Sequence, residues 1–330
     1  MEMTPEKEMR RVTLCIGAAF IANLLLLMLL LSLPSLITDI LTDGGAFALT
    51  EGEYAAVSTV ESALYMLSFM LPVLLFRLIT PGELREPMRL RPAGGFDSVL
   101  LIFAGIGTVF AAATLNAWFV SFVDFSPLYG EDEALTPVGI VCAFVGTALV
   151  PAVCEEFLYR GCVLSNLLPY GRTTAIVGSA LLFALMHGNF QQYLYTFCAG
   201  LVLGLAYTES GSIFPPLCIH LVNNFISVIE EKIYYSVSFS SDTVLIIFES
   251  AVFAAGLAAL AWYVFRNGGR LGRGKESAGG IPDPALPVRR SFLSPAADRV
   301  KLFFSPTVIV GACLSLTEGI ALVLMAVSYS

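Results

Sequence analysis

Charge is what this chain has least of. Asp, Glu, Lys and Arg make up only 13% of its 330 residues, against 57% hydrophobic ones. A soluble domain carries about 25% charged residues, so a separate soluble domain is excluded. Histidine is scarcer still, with two in the whole sequence, His187 and His220. The seven cysteines form no CxxC pair and no disulfide framework, and most lie in apolar runs as small core residues. There is no HExxH and no serine–histidine–aspartate arrangement. Nothing in the sequence points to a nucleic-acid partner.

What remains is apolar length. Nine segments are long or apolar enough to be drawn as membrane helices: 12–33, 54–79, 98–123, 137–168, 173–187, 190–208, 212–230, 242–265 and 305–328. The first exceeds the 7–15 apolar residues of a signal peptide and is kept as a transmembrane helix. The expectation is an all-α, polytopic integral membrane protein with about eight to nine transmembrane helices, forming a single membrane domain over 1–330. Its environment is then the lipid bilayer.

Lysine and arginine set the orientation. With a cytoplasmic N-terminus, the inner segments hold Lys7, Arg10, Arg11, Arg77, Arg85, Arg89, Arg91, Arg172 and eight basic residues between 266 and 301. Arg160 falls in the inner half of the fourth span, and only Lys232 lies outside. The outer loops are acidic, with Asp39, Asp43, Glu51 and Glu53 in one and Asp124, Glu131, Asp132 and Glu133 in another. The stretch 266–304, rich in Gly, Pro and Arg, reads as a flexible basic cytoplasmic linker. The GLVLG run at 200–204 is a small-xxx-small pattern that lets helices approach closely.

Ionisable residues inside membrane spans are costly and mark function. The fourth span carries CEEFLYRG at 154–161, and both histidines follow within the next 66 residues. At 1.5 Å per helical residue, Glu155 and His187 lie about 20 Å from the cytoplasmic side, and His220 and Asn224 about 12 and 18 Å. These four can meet near mid-membrane. Glu156 and Arg160, four apart, form an ion pair in the favourable order and are assigned to structure. Glu155 is left without a local counter-charge, the state of a general base waiting for a proton. Phe183 sits four residues before His187 as an aromatic neighbour. A glutamate, two histidines and an asparagine around a wet cavity suit hydrolysis, with Asn224 donating to a developing oxyanion. Glu155, His187 and His220 could also make a catalytic Zn2+ site, although nothing in the spacing demands one. Glu61, Glu249 and Glu318, single and unmatched, read as interhelical hydrogen-bonders or as residues at helix ends.

The three motifs EEFLYR (155–160), FALMH (183–187) and HLVNN (220–224), in this order on successive helices, resemble those of the CAAX proteases and bacteriocin-processing enzymes. That family is also called Abi or type II CAAX endopeptidases. The resemblance covers a core at 137–230. It implies an intramembrane endopeptidase with an active site open to the cytosolic side; the resemblance does not supply the substrate, and the expectation is a membrane-associated peptide or lipopeptide in a bacterial cytoplasmic membrane. It further implies that Glu155 activates water, that His187, His220 and Asn224 complete the site, and that His220 and Asn224 stabilise the oxyanion. Some members are described as metalloproteases; a glutamate-activated water without a tightly held metal is the expectation favoured here. The alternatives are an immunity protein that keeps the motifs but works by binding, and a proton-coupled transporter.

Overall fold

The computed structural model describes residues 4–42, 49–121, 136–236, 241–271 and 296–329. Every regular element among them is helical. In chain order they are α1 (Pro5–Leu41), α2 (Glu51–Ile79), α3 (Phe96–Val120), α4 (Pro137–Tyr170), α5 (Arg172–Leu185), α6 (Phe190–Ser210), α7 (Phe214–Ser236), α8 (Ser241–Leu271), α9 (Ala296–Phe303) and α10 (Pro306–Tyr329). The starts carry local reasons. Thr50 and Glu53 form a reciprocal capping box on α2. The Thr136 hydroxyl accepts from Gly139 N–H at the head of α4, with Pro137 in its first turn. The Asn189 side chain caps α6 by accepting from Gln191 N–H.

Six helices are long and apolar enough to cross a membrane: Pro5–Leu41, Glu51–Ile79, Phe96–Val120, Pro137–Tyr170, Ile246–Asn267 and Pro306–Met325. The chain is therefore an all-α polytopic membrane protein. The remaining three of the nine anticipated segments are α5, α6 and α7. Of these, α5 has 14 residues, about 21 Å of rise against a hydrocarbon core of about 30 Å. It stops partway, and residues 186–189 turn instead of continuing the helix. Non-helical backbone at that depth is tolerated where protein buries it or it lines a cavity.

α1 pairs with α2 and α10, α3 with α8, α6 and α7, and α5 with α6. Large apolar side chains facing away from the bundle, such as Leu78 at 74% exposed, Phe265 at 82% and Leu324 at 65%, cover its outside. The fully buried residues concentrate instead on α4 and its neighbours, where Leu158, Tyr159, Leu164, Leu167, Leu182 and Tyr207 form the centre. The small-residue pattern at 200–204 works as close contact between α5 and α6. A Cβ on Gly200 would lie 2.9 Å from Ala180 Cα, and one on Gly204 would lie 3.2 Å from Ile176 and Leu164.

Asp43, Asp124, Glu131, Asp132 and Glu133 of the expected outer loops lie outside the described residues, as do residues 272–295 of the expected linker. The two ends of that linker are helical: α8 runs to Leu271, and α9 occupies Ala296–Phe303.

Candidate active site

α4 is not a uniform helix. Two π-helical stretches, Phe144–Leu149 and Phe157–Leu164, flank the α-helical turn Val150–Glu156 that carries the glutamate pair. Such widened turns recur at functional sites because they re-aim side chains and loosen the backbone hydrogen-bond ladder. Here Thr147 O, within the first stretch, accepts a hydrogen bond from Asn224 Nδ2 at 3.2 Å.

Glu156 and Arg160 are both fully buried and form the expected ion pair, with Arg160 Nη1 2.8 Å from Glu156 Oε1. Arg160 Nη2 donates to Gly200 O at 3.2 Å, and the guanidinium carbon lies 4.5 Å from the Phe183 ring centroid. The pair is not confined to bracing one helix, however. His220 Nδ1 lies 2.9 Å from the same Glu156 Oε1. A carboxylate can only accept, so Nδ1 carries the proton and the opposite nitrogen, Nε2, faces away from Glu156.

Glu155, 3% exposed, is also better partnered than its own helix suggests. Tyr65 of α2 donates its hydroxyl to Glu155 Oε1 at 2.5 Å. The other oxygen, Oε2, is buried without a hydrogen-bond partner among the described residues. It stands 3.8 Å from His220 Nε2. That spacing is too long for a hydrogen bond.

His187 sits in the turn after α5 and not within the helix, because the helix ends at Leu185. Its Nδ1 bonds to Phe183 O at 2.9 Å, one of the carbonyls a helix end leaves free. A carbonyl accepts only, so this nitrogen too is protonated. Phe183 holds both imidazoles edge-on, with centroids 5.2 Å from His187 and 5.8 Å from His220. Asn224 Oδ1 accepts from Asn223 Nδ2 at 3.2 Å.

Glu155, Phe183, His187, His220 and Asn224 all line one cavity of about 460 Å³, together with Tyr65, Thr147, Tyr195 and Asn223. The four residues placed at similar depth from helical rise thus come together. Of the other acids, Glu61 and Glu249 are exposed and Glu318 half-buried. Glu249 lines a separate groove with Trp118 and Phe253.

Tyr65 is the residue that motif spacing missed. It is one of two tyrosines in α2, 90 positions before its partner, and no periodicity marks it. The chain Ser68 Oγ to Tyr65 O (2.7 Å), Asn23 Nδ2 to Ser68 O (2.9 Å) and Tyr159 OH to Asn23 Oδ1 (3.0 Å) ties α1 and α2 to α4 beside it.

Among the described residues no group of three or more His, Cys, Asp or Glu side chains is arranged to hold an ion.

An α-helical membrane bundle with a buried acid–imidazole cavity between its helices is the class that fold and site define together. Residues 137–226 match the family described as type II CAAX prenyl endopeptidase Rce1-like, and the resemblance carried by the three motifs is borne out for this segment. It is a protease family, and its matched segment holds every motif residue. No curated protein and no solved structure matches the chain.

Proposed function

We propose that the chain is an intramembrane endopeptidase that cuts a membrane-held peptide or lipopeptide with a water activated by Glu155. The observation that carries this is the asymmetry of one carboxylate. Oε1 is capped by Tyr65, while Oε2 is buried, without a hydrogen-bond partner, and lines the cavity beside an imidazole.

Glu155 Oε2 accepts one hydrogen of a water held in the cavity that His187 and His220 also line. Glu155 takes a proton as the oxygen attacks the scissile carbonyl carbon, and gives it to the leaving amine when the tetrahedral intermediate collapses. The second amide hydrogen of Asn224 stabilises the oxyanion, beside His220, whose Nδ1 is held by Glu156.

The test is purified protein with a library of membrane peptides and lipopeptides, products read by mass spectrometry. Glu155→Ala and His220→Ala should each lower cleavage by about 10² to 10⁴-fold, and a chelator should leave the wild-type rate unchanged. Cleavage that survives in both variants refutes the catalytic assignment.

A further inference from the structure

The cavity has a floor and a mouth, and they point to opposite ends of the bundle. Its buried lining includes Phe183, Leu203 and Ile219. The lining residues that reach the surface are Thr147, Gln192 and Ser227. Thr147 precedes Glu155 by eight residues on α4, about 12 Å towards the Pro137 end. Ser227 follows His220 by seven on α7, about 10 Å towards the Ser236 end. Gln192 is the third residue of α6. Because α4 and α6 run antiparallel to α7, all three lie towards the same end.

The arginines gather at the other end. Arg172 pairs with Glu209, to which Tyr263 OH also donates, and Arg266 Nε lies 3.1 Å from Asp97 Oδ1. Arg89 lies over the Tyr207 ring, while Ser212 Oγ donates to Arg91 O at 2.7 Å. These contacts stitch the ends of α3, α5, α6 and α8 to the segment after α2. α1 begins there as well, with Cys15 Sγ 3.8 Å from Ile79 O, which brings Lys7 and Arg10 to that face.

Cytoplasmic loops are the ones that carry an excess of lysine and arginine. We infer that the cavity opens on the extracytoplasmic side, and that the peptide reaching Glu155 is presented at the outer leaflet as an exported or lipid-anchored chain. This deepens the endopeptidase reading and rests on it for the word substrate. It reverses the cytosolic opening that the family resemblance implied, because here the basic residues and the mouth lie at opposite ends.

Single cysteines at Gln192, Ser227 and Arg89 settle the side. Each is labelled with a membrane-impermeant maleimide in intact cells and in inside-out vesicles, above the background of the native cysteines. Gln192→Cys and Ser227→Cys should react at least about tenfold faster from outside, and Arg89→Cys at least about tenfold faster from inside. Faster or equal labelling of both mouth positions in inside-out vesicles overturns the inference. Labelling needs no turnover and is repeated in a Glu155→Gln background. An inactive protein with an outward mouth would therefore refute the peptidase and leave the orientation standing.

Discussion

Glu156 Oε1 holds two side chains at once, Arg160 at 2.8 Å and His220 at 2.9 Å. It makes the charge balance of α4 and the orientation of an imidazole on α7 depend on one atom. Among the described residues Arg160 is one of the largest side chains that is shielded completely from solvent. Its charge is tolerable only because Glu156, Gly200 O and the Phe183 face surround it.

Removing Glu156 should therefore cost stability and activity together. Glu156→Ala leaves a buried guanidinium without its counter-charge, a loss of about 3–5 kcal/mol, visible as a lowered unfolding temperature in detergent. Glu156→Gln keeps an acceptor for His220 Nδ1 but not the charge, and should retain more activity than the alanine variant. Equal activity in the two variants would show that Glu156 does not orient His220.

Tyr65→Phe removes one hydroxyl and keeps the ring, including its stacking on Phe69 at 4.8 Å. A hydrogen bond to a charged group contributes about 1.5–3 kcal/mol, so kcat should fall about 10- to 100-fold with KM unchanged. In a Glu155→Gln background the same change should have no further effect on residual turnover. A rise in KM with constant kcat would make Tyr65 a substrate contact instead of a support for Glu155.

The α3–α8 pair rests on backbone proximity: a Cβ on Gly107 would come within 2.6 Å of Gly256 Cα. Gly107→Val should separate these helices and destabilise the protein by about 1–3 kcal/mol, measured by thermal unfolding. Gly52→Ala is the control, since a Cβ there meets nothing within 4 Å. Equal stability of the two variants would contradict the close approach.

Much of this architecture was legible in residue order, because in a membrane the physics is severe. Apolar length marked the helical segments, and helical rise alone brought Glu155, His187, His220 and Asn224 to one level. The i,i+4 spacing of Glu156 and Arg160 is a local relation, and it survives the widened turn at Phe157–Leu164 intact. The failures were tertiary. Nothing near Glu156 in sequence announces His220, 64 positions on, and nothing near Glu155 announces Tyr65, 90 positions back. The early stop of α5 was hidden as well. FALMHG continues the apolar run, and only the folded chain shows Gly188 at φ 57° and the His187 side chain closing the last turn.

The buried strand of contacts from Tyr159 through Asn23 and Ser68 to Tyr65 bears on modularity. The matched segment, 137–226, contains every motif residue but lacks the hydroxyl that caps Glu155 and the helix pair that delivers it. Excised or grafted as a cassette, it would arrive with its acid half-dressed. A fusion or truncation scheme drawn at residue 137 would separate Glu155 from Tyr65 and cut through the working parts.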